Sequence, residues 1–242
     1  MKKIFALLLT LALTLTLVGC KEAKGEGVKD HAQFVEVEDK EENVSIEAYI
    51  QAKTYKNSWG NVSLYLQDKE GGYYVYRMPV TEAQYDELVI GQKIKITGTK
   101  AVWGGMHEFA EGSAKYELER GTYIAKAKDI TKTWSNLEEM IKSQGMLVKF
   151  TGAKVVATKV NNADQPFAYK WNGSGQQGDD LYFNLQIGEV TYQFLVETDL
   201  ANKDTDVYKA GEALKLGDTV TVEGFLFWYE GKPNMHVTKI SK

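Results

Sequence analysis

Arginine is almost missing from this 242-residue chain, which has only Arg77 and Arg120. The planar guanidinium group is the side chain best suited to paired hydrogen bonds with phosphates and base edges. The formal net charge is −4, and it becomes −6 once residues 1–19 are set aside, because Lys2 and Lys3 go with them. Proteins that bind nucleic acids usually neutralise phosphates with lysine and arginine. The composition therefore argues against nucleic acid as a partner.

Histidine is also scarce, and no catalytic arrangement stands out. His31 lies in an acidic segment, whereas His107 and His236 each follow a methionine. A Met-His pair could bind copper, but these two histidines lie far apart in the chain and have no third ligand nearby, so we interpret them as a repeated structural position. The chain has no G-x-S-x-G motif, and the acids Asp179 and Asp180 have no partner base. We therefore predict a non-catalytic protein without a metal or other cofactor.

Two spacing patterns resemble ligand-binding motifs but lack the required context. Residues 173–178 have the G-x-G-x-x-G spacing of a dinucleotide-binding loop, yet they lead into a predicted strand and not into a helix. Asn202, Asp204 and Asp206 have the spacing of a calcium loop, but Val207 stands where the turn requires glycine. We predict neither a nucleotide nor a calcium ion at these places.

Cysteine occurs once, at the end of an export signal. Lys2 and Lys3 precede an apolar run over residues 4–18, which is too short to span a bilayer as a helix. Residues 17–20, Leu-Val-Gly-Cys, resemble a bacterial lipobox, in which the cysteine is lipidated and becomes the mature N-terminus. The resemblance implies a signal peptide over residues 1–19 and a protein held by lipid on Cys20 at the extracytoplasmic face of the cell membrane. No free thiol would then remain for disulfides, metals or catalysis.

The rest of the chain divides into a tether and two similar regions. Residues 20–43 are acidic and poor in apolar side chains, which predicts a flexible tether that lifts the protein off the membrane. Strand-type alternation dominates afterwards and is interrupted at residues 131–143 by a brief helical pattern. We predict one domain over residues 44–130, a helical connector over 131–143 and a second domain over 144–242.

The two predicted domains repeat one pattern. Residues 91–98 read GQKIKITG and residues 217–224 read GDTVTVEG, and each is followed by an aromatic turn that ends in Met-His. Residues 62–67 align with residues 181–186, and six residues later Tyr73 aligns with Tyr192. Each copy then has three strands, a helical connection and two more strands. The chain therefore contains two copies of one domain.

The pattern L-x-x-G-x-x-(I/V)-x-(I/V)-x-G, found at residues 88–98 and 214–224, resembles the tandem OB-fold domains of bacterial lipoproteins. The resemblance covers about residues 44–125 and 144–242. It implies an all-β fold with short helices, made of two tandem five-stranded Greek-key barrels. Ile94, Ile96 and their counterparts in the second copy should fill the interiors, which leaves no internal ligand cavity.

OB-folds bind ligands on the outer face of their second and third strands and in the adjoining loops. The alternation turns a set of aromatic side chains toward this face or its rim: Tyr55, Trp59, Tyr65, Tyr74, Tyr76 and Trp103 in the first barrel, and Trp171, Tyr182 and Trp228 in the second. Such rings either stack on a sugar or base or pack against the other domain. We predict that the first barrel binds a cell-envelope glycan or a protein partner. Single-stranded nucleic acid is the competing hypothesis.

Overall fold

The computed structural model describes residues 24–55 and 60–242. The predicted signal peptide, the lipidation site Cys20 and the candidate ligand-binding residue Trp59 lie outside the described residues. Within the described ranges, no helix combines the length and the apolar character needed to cross a membrane.

Short strands dominate the structure. The first half contains β1 (Val28–Lys29), α1 (His31–Glu36), β2 (Val44–Lys53), β3 (Asn61–Gln67), β4 (Gly72–Pro79), α2 (Glu82–Glu87), β5 (Gln92–Gly98), β6 (Lys100–Trp103), β7 (Met106–Phe109) and β8 (Lys115–Thr122). The second half contains β9 (Lys128–Asp129), α3 (Leu137–Met140), β10 (Leu147–Val156), β11 (Thr158–Val160), β12 (Ala163–Gln165), β13 (Ala168–Tyr169), β14 (Leu181–Ile187), β15 (Val190–Val196), α4 (Asp206–Glu212), β16 (Thr219–Tyr229) and β17 (Lys232–Ser241).

Each half closes into a five-stranded barrel. In the first barrel, β2 pairs with both β3 and β5, β3 pairs with β4, and β4 runs parallel to β7. The ring closes because β7 pairs with β6, which continues β5. In the second barrel, β10 pairs with both β14 and β16, and β15 runs parallel to β17, which pairs with β16. This strand order, with a short helix between the third and fourth strands, is that of the OB-fold, so the predicted fold class is confirmed.

The internal repeat is visible in the packing. The aliphatic side chains at the matched inward positions are all buried: Ile94, Ile96, Val220 and Val222. Leu66 lies opposite Tyr73 in the first barrel, and Leu185 lies opposite Tyr192 in the second, as the alignment of the two copies requires. The second glycine of the repeated motif allows a close approach, because a Cβ on Gly224 would lie 2.3 Å from the carbonyl oxygen of His236.

The predicted flexible tether is wrong for residues 24–43, which fold onto the first barrel. Strand β1 pairs with β2, and α1 begins at a capping box in which Asp30 and Gln33 exchange hydrogen bonds. Phe34 is buried, and its ring centroid lies 5.3 Å from that of Tyr73 and 5.2 Å from that of Phe109. One buried aromatic side chain thus attaches an otherwise polar segment, and the polar composition concealed it.

The helical connector packs against the second barrel. It consists of a 3-10 turn at Thr131–Thr133, helix α3 and a second 3-10 turn at Ile141–Ser143. Trp134 is buried with its ring centroid 4.8 Å from that of Phe150, and its indole nitrogen donates to the carbonyl of Val190 at 2.9 Å. The connector is therefore part of the second hydrophobic core.

Candidate functional site

The aromatic face of the first barrel is covered by the second barrel. Tyr65 and Tyr74 point outward from β3 and β4, yet only 1% and 4% of their surfaces are exposed. The ring of Tyr65 lies 4.5 Å from that of Phe225, and the ring of Tyr74 lies 4.6 Å from that of Phe227. These four residues and His236, which stacks on Phe227 at 3.9 Å, form what we call the inter-barrel contact. The two tyrosines are therefore not a ligand platform.

A polar group completes the inter-barrel contact. The Tyr65 hydroxyl donates to Glu197 Oε2 at 2.7 Å and lies 2.7 Å from His236 Nδ1, which is itself 3.0 Å from Glu197 Oε2. Burial acts to raise the pKa of Glu197, but the neighbouring His236 and the bond from Tyr65 outweigh it, so this pKa lies below its ordinary value. Burial and the charge of Glu197 raise the pKa of Tyr65 well above its ordinary value. The tyrosine thus remains a donor and the glutamate remains an acceptor.

The barrels also meet backbone to backbone. A Cβ on Gly145 would lie 2.7 Å from the carbonyl carbon of Gly72. Nearby, the Leu147 N–H donates to Gln67 Oε1 at 2.7 Å. Gln144 accepts from the His107 N–H and donates to the Gly105 carbonyl, each at 2.9 Å. Both barrels therefore hold each other through directional bonds as well as apolar contact.

The other aromatic residues predicted at the site are dispersed. Trp228 is buried, and its ring approaches Gly105 of the first barrel. Trp103 is 59% exposed and packs beside Tyr229 with ring centroids 5.0 Å apart. Tyr76 is half-buried under the guanidinium of Arg77, and Tyr55 is exposed, with its N–H bonded to Asp199 across the barrels. Trp171 and Tyr182 lie on a different surface, in the second barrel.

The two Met-His positions have different surroundings. Lys100 is fully buried, with Nζ 3.0 Å from His107 Nδ1 and 3.0 Å from the Ala101 carbonyl. Burial lowers the pKa of Lys100 to about 8, and burial with the charge of Lys100 lowers the pKa of His107 to about 4. Burial raises the pKa of Glu108 to about 7 against the opposing effect of Lys100. In the described part of the chain, no three His, Cys, Asp or Glu side chains are placed to hold a metal ion.

The second barrel leaves the equivalent outer face open. In register, Asn184 and Gln193 occupy the positions of Tyr65 and Tyr74 in the first barrel. On this face Leu195, opposite Tyr182, is buried, and Val156, opposite Asn184, is half-buried. The other six side chains of the face are what we call the open face: Lys154, Tyr182, Asn184, Gln186, Thr191 and Gln193. Lys154, Thr191 and Gln193 are exposed and the other three are half-buried. An amide-rich surface thus stands where the first copy has rings.

A long loop borders the open face. Residues 157–180 contain the β11–β12 hairpin and the short strand β13, which pairs with β14 beside Tyr182. Trp171 follows β13 and is 72% exposed. Burial, with the charges of Asp180 and Glu197, raises the pKa of Tyr182 to about 12, so its hydroxyl remains protonated. Both lysines of the loop, Lys159 and Lys170, form surface ion pairs. The loop and the adjoining strand thus offer the exposed ring of Trp171 and the half-buried ring of Tyr182.

Sequence reasoning placed Tyr182 on the outer face of the second barrel but gave the first barrel the leading role. The sequence difference that distinguishes the outer faces of the two barrels was already visible in the repeat. Where Tyr65 aligns with Asn184, the copy with the large apolar ring is the one that needs to be covered. The copy with the amide tolerates water: the Asn184 amide nitrogen donates to the Ala157 carbonyl at 2.9 Å, and its amide oxygen can accept from a ligand.

No protein-family model and no curated protein matches the chain. Solved structures do match it at low identity. One is described as the Ifi202 HINa domain in complex with 20-base-pair double-stranded DNA, with 12% identity, a TM-score of 0.37, and coverage of 83% of this chain and 96% of that one. A murine DNA-binding protein bound to double-stranded DNA has 12% identity, a TM-score of 0.37, and coverage of 82% and 98%. A replication protein A heterotrimer bound to single-stranded DNA has 10% identity, a TM-score of 0.30, and coverage of 82% and 50%.

At these TM-scores the matches by themselves assign no ligand to this chain. The prediction of a glycan or protein partner on the first barrel is wrong, because the second barrel covers the rings of Tyr65 and Tyr74 on which it rested. The prediction that nucleic acid is an unlikely partner is at odds with the descriptions of the matched structures, which name DNA.

Proposed function

We propose that this protein binds single-stranded nucleic acid, without catalysis, on the open face of the second barrel. The main observation behind the proposal is that Asn184 and Gln193, which pair across β14 and β15, are not covered by the first barrel. These amides occupy the second and third strands, where OB-folds receive oligonucleotides. Their counterparts in the first barrel are the buried tyrosines of the inter-barrel contact, so only one of the two copies presents this face to solvent.

The chemistry of the open face suits unpaired bases. An amide side chain carries both a donor and an acceptor, which matches the mixed donor and acceptor pattern of a free base edge. Trp171 and Tyr182 supply rings on which bases can stack. Lys154 lies opposite Gln186 at one end of the face, where it can approach a phosphate. In a duplex the bases are already paired and stacked, so they are not free to stack on Trp171 and Tyr182.

The acidic balance of the chain sets a limit on how such binding works. With a net charge of −4 and only two arginines, little of the affinity can come from neutralised phosphates. Stacking and hydrogen bonds to bases must supply most of it. The dependence on salt concentration should therefore be shallow.

We also propose that lipid on Cys20 anchors the protein to the membrane. The lipobox-like residues 17–20 support lipidation of Cys20 and an extracytoplasmic position, which would place the open face where nucleic acid outside the cell can reach it. Metabolic labelling with a radioactive fatty acid tests this part. Label should enter the wild-type chain and should be absent from Cys20→Ser.

Fluorescence anisotropy with a labelled oligothymidine tests the binding itself. We expect Trp171→Ala to weaken binding roughly 5- to 150-fold, which corresponds to one lost base stack of about 1–3 kcal/mol. The matched control is Trp103→Ala, because Trp103 is also an exposed tryptophan but belongs to the first barrel, where its ring packs beside Tyr229.

Three results would count against the proposal. One is the absence of wild-type binding at protein concentrations on the order of 100 µM in low salt, where even non-specific binders associate. Another is an equal loss of affinity in the Trp103→Ala control. The third is a duplex that competes as well as the single strand.

A further inference from the structure

The described chain begins close to the first barrel and not at a distance from it. Lys24 Nζ forms an ion pair with Asp68 at 2.6 Å and bonds to the carbonyl of Glu47 at 3.3 Å. The Gly25 N–H donates to Glu47 Oε1 at 3.2 Å. Lys24 is four positions after Cys20, and an extended chain covers at most about 3.6 Å per position. If Cys20 carries lipid, Lys24 lies within about 14 Å of the anchor point.

An apolar patch lies on the same barrel. We call Val89, Ile90 and Ile124 the apolar patch; all three are exposed, and Ile124 is 68% exposed. Ile124 lies over the backbone beside the other two, since a Cβ on Gly91 would be 3.2 Å from its Cγ1. The Tyr123 N–H donates to the Gly91 carbonyl at 3.0 Å and holds this arrangement. Large aliphatic side chains grouped on a surface usually mark a contact with a membrane or a protein.

A continuous surface joins the start of the described chain to the apolar patch. Glu47, which holds Gly25, forms an ion pair with Lys93 at 2.9 Å on the neighbouring strand β5. Lys93 lies opposite Tyr49, whose ring packs against that of Tyr123 at 5.5 Å. Tyr123 directly precedes Ile124. A series of packed contacts along β2 and β5 thus links the start of the described chain to the apolar patch.

We propose that the apolar patch docks the first barrel onto the lipid bilayer. The inference rests on the lipid anchor proposed above, and it follows from the short link between Cys20 and Lys24. Because the bilayer would lie that close to the first barrel, its acyl chains are an apolar surface that the patch can reach. Aliphatic side chains insert at the boundary between headgroups and acyl chains. Because the protein carries a net negative charge, we expect this contact to come from apolar insertion and not from attraction to anionic lipids.

Site-specific fluorescence on the lipidated full-length protein tests the docking. Cys20 is the only cysteine, so once it is acylated an introduced Ile124→Cys can be labelled selectively with an environment-sensitive fluorophore. The control is Thr191→Cys, on the open face of the second barrel. The protein is bound to vesicles of equal parts phosphatidylethanolamine and phosphatidylglycerol that contain spin-labelled acyl chains. Because interfacial groups sit about 5–10 Å deep, quenching at position 124 should exceed quenching at position 191 at least about twofold.

The outcomes separate the anchor from the docking. Protein that fails to float with the vesicles overturns the anchor and the docking together. Protein that floats but shows equal quenching at the two positions overturns the docking alone. Concentration-dependent dimerisation that shields the label at position 124 from the lipid quencher would assign the patch to a second copy of the chain. In the supporting case, adding Val89→Asp beside the label should abolish the difference in quenching while the protein still floats.

Discussion

Tyr65 of the first barrel donates a hydrogen bond to Glu197 of the second barrel at 2.7 Å, although the two residues are 132 positions apart in the chain. His236 completes the group from an adjacent strand of the second barrel. A tyrosine that faces outward from an OB-fold strand would normally be available to a ligand. Here its ring and its hydroxyl are both used to join the barrels, so the first copy of the domain acts as a support for the second.

Loss of the Tyr65 hydroxyl should loosen this joint. Tyr65→Phe is expected to reduce the free energy of unfolding by about 1.5–3 kcal/mol, because the lost bond goes to a charged and largely buried acceptor. Chemical denaturation measures the change. Tyr169→Phe is the control, since it removes a bond of 2.5 Å to Glu212 within the second barrel, at a more exposed place. Equal costs for the two variants would contradict a special role for Tyr65.

The close approach of Gly145 to Gly72 gives a second prediction. Gly145 and Gly152 have nearly the same positive φ, 75° and 73°, but a Cβ on Gly152 would meet nothing within 4 Å. Gly152→Ala should therefore cost only the backbone strain of about 1–2 kcal/mol. Gly145→Ala should cost a further 1–3 kcal/mol, roughly the price of overpacking, because the barrels must move apart. Thermal and chemical unfolding measure the stability of both variants. If the two variants are equally stable, the contact between Gly145 and Gly72 accommodates an added methyl group at little cost.

The buried Glu108 should make stability depend on pH. Its pKa is raised to about 7 in the folded protein, above the ordinary value of 4.5, so the folded state holds its proton more tightly than the unfolded state. The stabilising contribution of this group is then largest below about pH 4.5 and falls as the pH rises toward about 7. Glu108→Gln removes the penalty and should stabilise the protein more at pH 8 than at pH 5, by on the order of 2 kcal/mol.

The exposed Glu117 supplies the control for this pH effect. Glu117→Gln should change the free energy of unfolding by the same amount at pH 5 and at pH 8. If Glu108→Gln behaves in the same way, the carboxyl group of Glu108 is not held in a protonated state by its surroundings.

The salt dependence of oligonucleotide binding tests where the strand lies. With two or three lysines in contact, the slope of log K against log salt should be about −1.4 to −2 for a single strand. Gln193→Lys adds a positive charge on the open face and should steepen the slope by about 0.7. Thr122→Lys adds the same charge on strand β8 of the first barrel and should leave the slope unchanged. A steeper slope in both variants would indicate diffuse attraction and no defined path.

Much of the architecture was predictable because local sequence patterns specify it and because the same patterns occur in both copies of the domain. The alternation around Ile94 and Val220 gives the inward face of each strand, and the paired glycines give the positions where each barrel bends. Thr81 caps α2 as its sequence signal indicates. The segment 24–43 was mispredicted because one buried ring, Phe34, together with the β1–β2 pairing and the ion pair of Lys24 with Asp68, attaches it to the barrel, and an average over composition does not register such individual contacts.

The sequence alone determined that two similar barrels form and which side chains of each strand point outward, since both follow from a periodicity of two within a few residues. Only the tertiary structure decided that the outward rings of Tyr65 and Tyr74 lie against Phe225 and Phe227, while at the matching positions of the second barrel Gln193 is exposed and Asn184 is half-buried. Alternation fixes the direction of a side chain relative to its own strand. What covers that side chain depends on a surface more than a hundred residues away, and no local pattern encodes it.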